Sequence, residues 1–283
     1  MSIIYTDNLC DLSKEELKKY KVEQISFPLT FFAKTYKSFD DFDNEKFNDA
    51  IKNNSDINIS PITKQEYIDA FELALNAGQD VIYIHASAKL FSTTSTLNDS
   101  IRELTQKYPN NKISVIDSYS ISISEGMIVK EVARKNIEGA THEELVEYAK
   151  ELRKIILSAY MIENIKNLKT FNKIDYDKEL GGAILGIKPI ITFDEFGKLS
   201  IINKANGRKK GIAILSKILQ QKGKNLLDYN IEIVYSNCFT DAELLKNNIE
   251  NILGSDSNIL IRQCNPIVTF FAGNSILGIA FQK

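Results

Sequence analysis

The chain holds few residues suited to nucleophilic or metal chemistry. Its imidazoles are His85 and His142, and its thiols are Cys10, Cys238 and Cys264. Neither histidine has a partner at metal-ligand spacing, and there is no C-x-x-C pair. His142 comes after Thr141 in a T-x-x-E capping box, which predicts a solvated helix start. His85 closes a short apolar run, where packing at a strand end is favoured over acid–base work. The carboxylate pairs Asp40-Asp41 and Glu143-Glu144 sit in polar, surface-like surroundings. No G-x-x-x-x-G-K-[ST] loop is present, and Gly181, Gly182 and Gly186 do not make G-x-G-x-x-G. An enzyme is the weaker class, and a binding protein the stronger.

Two polar clusters remain. Ser92-Thr93-Thr94-Ser95-Thr96 offers hydroxyls and backbone N–H groups at a helix start, a place that holds phosphate or carboxylate well. An ordinary N-cap turn explains the same residues, and composition alone favours it. Arg208-Lys209-Lys210 is either a solvated helix face or a docking point for an acidic partner.

The elements that must carry these residues alternate between strand and helix through the first two-thirds of the chain. Ser2–Tyr5, Val81–Ile84 and Ile113–Ile116 read as buried strands. Capping boxes at Ser13-Lys14-Glu15-Glu16 and Thr63-Lys64-Gln65-Glu66 open helices between them. This alternation predicts a largely parallel sheet. Ligands in such sheets bind beyond the strand ends, which singles out Asp7-Asn8, Ser60, Ser92-Thr93 and Asp117-Ser118. From about Ala159 the rhythm changes. Strands at Ile187–Thr192 and Lys198–Asn203 flank the turn Asp194-Glu195-Phe196-Gly197, and Thr240-Asp241-Ala242-Glu243 caps a later helix. The expected architecture is α/β and two-lobed: residues 1–158 form an α/β lobe with a parallel sheet, and residues 159–283 an α+β lobe.

With 283 residues, 43% hydrophobic and 25% charged, the chain can bury two ordinary cores. A net charge of −2 provides no general attraction for nucleic acid. Three widely spaced cysteines read as reduced thiols of a cytoplasmic protein. The N-terminus lacks a signal-peptide pattern. No apolar run reaches about 18 residues, so no transmembrane segment is expected and only transient membrane contact is left open.

Taken in order, these segments resemble the DegV family of bacterial fatty-acid-binding proteins. Ile4-Tyr5-Thr6-Asp7-Asn8 with Asp11-Leu12 looks like the family's I-x-T-D-S…D-L start. Pro28-Leu29, Tyr36 and Asp40 fit the family pattern downstream of that start. Val115-Ile116-Asp117-Ser118 with Ser122 and Gly126 resembles V-I-D-S-x-x-x-S-x-G-x-G, with Ser124 in place of the first glycine. Ile187-Lys188-Pro189-Ile190 matches I-K-P-I. Lys204 with Gly207-Arg208-Lys209-Lys210 is similar to K-x-R-G-x-K-K. Asn265-Pro266-Ile267-Val268 with Gly273, Leu277 and Gly278 matches the family's closing motif imperfectly.

The resemblance implies a fatty acid held in a cleft between two lobes, its chain in an apolar tunnel and its carboxylate on hydroxyls and a histidine. It implies no catalytic nucleophile and no cofactor beyond the bound lipid. It also implies a separate fatty acid kinase as partner, docking near Lys173, Arg208 and Lys209. Lys173 stands in Phe171-Asn172-Lys173-Ile174, where the family has G-G-R-I. Three anchors differ. Ile59, before Ser60, stands at the carboxylate-binding threonine, Phe91 at the second hydroxyl beside Ser92 and Thr93, and Phe271 at the late histidine. A one-residue slip brings Ser60 or Ser92 into the role but restores no histidine. Ten or more buried methylenes, at roughly 0.8 kcal/mol each, still drive binding of a tail. A carboxylate without hydrogen-bond donors is penalised by several kcal/mol. The reading is therefore a lipid binder with altered head-group contacts. The alternatives are a binder of a lipid with a neutral head, an interaction module whose pocket has collapsed, or a kinase-like subunit.

Overall fold

The computed structural model describes residues 2–39, 42–53, 55–90, 94–163, 186–224, 226, 230–255 and 257–283. The chain divides into two compact units, residues 1–43 with 56–154, and residues 44–55 with 155–283.

The first unit is built on a parallel four-stranded sheet. Its strands are β1 (Ser2–Asp7), β2 (Val22–Ile25), β6 (Asp80–His85) and β7 (Ile113–Asp117), in the order β2-β1-β6-β7. Every neighbouring pair is parallel, as alternation of strands with helices requires. The helices are α1 (Lys14–Tyr20), α3 (Lys64–Asn76), α4 (Thr94–Lys107), α5 (Ile123–Ile137) and α6 (His142–Ile155). Both expected capping boxes form: the Ser13 hydroxyl accepts from the Glu16 amide, and the Thr63 hydroxyl from the Glu66 amide. The core is aliphatic along β6, where Val81, Ile82 and Ile84 are fully buried, with Tyr5, Tyr67, Phe71 and Tyr83 packed ring against ring.

A small antiparallel sheet, ordered β4-β3-β5, adds β3 (Leu29–Phe31), β4 (Lys34–Tyr36) and β5 (Ile57–Ile59). Its hairpin turns on Phe32 and Ala33, with φ of 47° and 58°. Those are the left-handed angles of a two-residue hairpin turn, a place usually taken by Asn-Gly. The apolar stretch from Val22 to Phe32 is therefore two strands in two sheets, divided before Pro28.

His142 corrects an expectation. Thr141 does pair with Glu144, its amide donating to Oε2 at 2.8 Å. The next residue, however, is buried rather than solvated. The His142 ring lies between Ser2 Oγ (3.0 Å from Nδ1) and Ser114 Oγ (2.8 Å from Nε2). It pins α6 to β1 and β7.

The second unit carries a mixed six-stranded sheet with β8 (Ile156–Met161), β9 (Ile187–Phe193), β10 (Leu199–Asn206), β11 (Ile231–Tyr235), β12 (Ile259–Gln263) and β13 (Leu277–Gln282). Their order is β10-β9-β8-β13-β11-β12. Because β8 pairs with β13 and β9, the division falls ahead of β8 rather than inside it at 158/159. The unit's helices are α2 (Asn44–Lys52), α7 (Arg208–Lys222), α8 (Phe239–Leu253) and α9 (Pro266–Ala272). Gly211 lets α7 lie close on β8, since a Cβ there would stand 2.1 Å from Met161 Sδ. Thr240 does not cap α8 as expected: the helix begins at Phe239 behind Cys238, which makes no side-chain cap bond.

Among the described residues, no helix is long and apolar enough to cross a membrane.

Candidate functional site

Asp7 and Asp117 end parallel strands with β6 between them, and both reach the segment that leaves β6. Asp7 Oδ1 accepts from the Leu9 amide at 2.9 Å, and Oδ2 from the Ala86 amide at 2.9 Å. Asp117 repeats the arrangement. Its Oδ1 accepts from the Tyr119 amide at 2.8 Å and its Oδ2 from the Ala88 amide at 3.2 Å. Each carboxylate thus folds its own loop by a bond to the amide two residues on and fixes the loop of its neighbour. The two aspartates hold Ala86–Leu90, the approach to Phe91, Ser92 and Thr93. Those three residues lie outside the described residues. Burial raises the Asp7 pKa above its usual range, opposed by the Ala86 and Leu9 amides.

Serines knit the loop after β7 to the same segment. The Ser87 amide donates to Ser120 O at 2.7 Å, and the Ser120 amide to Ser118 Oγ at 3.2 Å. Ser120 and Ser124 share a hydroxyl contact. Ser122, just before α5, has φ 64° and ψ −139°, a backbone conformation suited to glycine. Its amide donates to Leu9 O at 2.9 Å and its hydroxyl to Asp11, which holds it there. This sharp entry brings α5 close to the loop after β1: a Cβ on Gly126 would stand 2.3 Å from Cys10 O. Arg153 closes the rim, donating to Asp117 O at 3.0 Å with its guanidinium 4.1 Å above the Tyr119 ring.

Other residues singled out from sequence fall into place individually. Asn8 makes a two-bond clamp on the Phe27 backbone, at 3.0 and 3.1 Å. Ile59 pairs with Leu29 at the end of β5, and the next residue, Ser60, accepts from Asn58 Nδ2 at 3.1 Å. His85 stacks on Tyr83, and its Nδ1 donates to Ala86 O at 2.7 Å, in keeping with a packing role. In the second unit Phe271 is buried in α9 beside Phe270. Arg208 is turned into its own unit, with Nε on Asp241 and Nη1 donating to Ser275 O at 2.8 Å; Lys209 is exposed. Lys173, Asp40 and Asp41 lie outside the described residues.

The site offers positioning rather than attack. Cys10 is a buried thiol whose pKa burial drives well up, and burial pushes Cys238 up to about 11, so neither supplies a ready thiolate. Among the described residues no three His, Cys, Asp or Glu side chains gather as a metal site. Sequence reasoning missed Glu125, fully buried on α5 next to Asp7. The available signal was an acid in the apolar first half of a helix, whereas the helix's other acid, Glu131, has Arg134 three residues on to pair with.

Known proteins share this architecture. The family model described as "Uncharacterised protein, DegV family" matches residues 2–283. A DegV domain-containing protein of Caldanaerobacter subterraneus is 28% identical over 283 residues, covering 99% of this chain and 98% of its own. A Thermus thermophilus DegV family protein, described for its fatty acid binding, superposes with a TM-score of 0.85 at 17% identity, over 99% of each chain. A DegV family protein of Eubacterium eligens, loaded with heptadecanoic acid, superposes with a TM-score of 0.84 at 16% identity, over 100% of each.

Proposed function

Because the chain belongs to the DegV family, we propose that it binds a fatty acid and holds it without transforming it. The observation that carries this reading is agreement of fold over essentially the whole chain with proteins described as fatty-acid binding. Thiols that burial keeps protonated, at Cys10 and Cys238, fit a carrier better than a catalyst. Burying an acyl tail supplies the affinity, at roughly 0.8 kcal/mol per methylene.

The head group is where this chain departs from its family. Ile59, Phe91 and Phe271 offer no side-chain hydrogen bond. We assign the carboxylate to the hydroxyls of Ser60, Ser92 and Thr93 and to backbone amides of the same segments. Asp117 and Ser118 act by holding backbone rather than by touching the ligand, since the Asp117 oxygens already accept two amides and Ser118 is bonded within its loop. A separate fatty acid kinase is the inferred partner, recognising the basic residues Lys173 and Lys209, of which Lys209 is exposed. Three free thiols fit a reducing, cytoplasmic setting.

Titration of delipidated protein with a long-chain acid and with its methyl ester tests the assignment. Preference for the acid by tenfold or more, about 1.4 kcal/mol, is the predicted result. Equal affinity would favour the second reading, a neutral head group, which the apolar Ile59 supports. Failure of both ligands to bind would remove the lipid-carrier reading altogether.

A further inference from the structure

Glu125 lies in the first turn of α5 and is 0% exposed. Its Oε1 accepts from Thr6 Oγ1 at 3.3 Å, while its Oε2 is buried with no hydrogen-bond partner. The Asp7 carboxylate, itself 1% exposed, is within interaction range of it. Two carboxylates in a dry pocket cannot both keep a negative charge cheaply. Asp7 is the better supported of the two. It receives the Leu9 and Ala86 amides, and His85 adds favourable electrostatics. Glu125 has one long hydroxyl contact and one oxygen with no donor. A neutral carboxyl group is a donor as well as an acceptor. A proton on Oε2 therefore turns the orphan acceptor into a donor, and the Asp7 carboxylate is at hand to accept it.

We propose that Glu125 is a protonated acid donating from Oε2 to Asp7, and that this shared proton is a pH-sensitive fastening of α5 to the ends of β1 and β6. Asp7 reaches the Ala86 amide beyond β6, and Glu125 reaches Thr6 on β1, so one proton joins three elements. The groups facing the pair leave little to replace it. Thr6 and Asp7 come from β1, Cys10 and Asp11 from the loop after it, and Tyr83 and His85 from β6. From α1, Glu16 lies 3.9 Å from Lys130 of α5, so the nearest cation on that helix already faces an acid. Burial first, and the Asp7 charge second, drive the Glu125 carboxyl well above the usual range.

These energetics set the direction of the pH effect. In the unfolded chain this glutamate ionises near its ordinary value of 4.5, whereas the folded one keeps its proton to higher pH. The stability it contributes is complete below 4.5 and is lost as the pH rises toward the folded value. Glutamine copies the neutral acid and cannot ionise. The ratio of unfolding constants, wild type over Glu125→Gln, is thus expected to grow by up to about tenfold for each pH unit in that window.

Two measurements test this. The first is urea unfolding of wild type and Glu125→Gln across the pH range, where parallel profiles overturn the proposal. The second is infrared spectroscopy of the wild-type protein at neutral pH, which needs no variant to fold. A protonated-carboxyl band that shifts when glutamate is labelled at its carboxyl carbon is the expected result. No such band, or one that shifts only with labelled aspartate, overturns the assignment.

Discussion

Asp7 accepts the Ala86 amide at 2.9 Å, so the residue that ends β1 sets the course of the chain leaving β6. Asp117 does the same from the other side through Ala88. The segment that enters Phe91–Thr93 is therefore suspended from two carboxylates at neighbouring strand ends. Under the proposed function, a ligand with one polar end gains from such an arrangement, because a rigid support keeps head-group contacts from drifting.

Asp7→Ala removes acceptors from two buried amides, and each charge-assisted bond contributes about 1.5–3 kcal/mol. We expect a loss of about 3 kcal/mol or more in urea unfolding. Asp7→Asn, which keeps one acceptor oxygen, should lose less.

Ser122 separates strain from bonding. Ser122→Ala loses the hydroxyl bond to Asp11 and keeps the glycine-like backbone, whereas Ser122→Gly loses the same bond and relieves the backbone. The glycine variant should be the more stable of the two by about 1 kcal/mol. The opposite order in thermal melts would show that the φ of 64° carries no strain.

His142 gives a pH dependence of the opposite sign to Glu125. Burial lowers its pKa from 6.5, with Asp80 and Glu143 opposing and Lys112 assisting. The folded state thus binds its proton less readily than the unfolded chain does. Stability contributed by His142 is present above 6.5 and is lost as the pH falls through the folded value. His142→Gln should flatten that acid limb in denaturation profiles, and an unchanged limb would place its origin elsewhere.

What could be read from sequence was local. The boxes Ser13–Glu16 and Thr63–Glu66 were visible because both halves of the interaction lie within four residues. The strand ends at Asp7 and Asp117 were visible because aspartate closing an apolar run marks a turn. The role of those aspartates was not, since Asp7 meets Ala86 79 residues away. His142 read as solvated for the same reason: its partner Ser2 is 140 residues distant, and a histidine one place past a cap looks polar until the sheet beneath it is known. Thr240 misled because capping chemistry was present without capping geometry. Arg208 belonged to a basic run by sequence, yet Asp241 and Ser275 draw it inward while Lys209 stays out. Glu125 was missed because a helix buried on nearly every side resembles an ordinary core helix, and only its neighbour Asp7 reveals the charge problem.

Native mass spectrometry of freshly purified protein, with solvent extraction afterwards, tests the central claim most directly. The account predicts a stoichiometric adduct of fatty-acid mass, released intact and identified as a free acid. A bare protein mass that stays unchanged after incubation with long-chain acids would contradict it, and would mean that Ile59, Phe91 and Phe271 have closed the site.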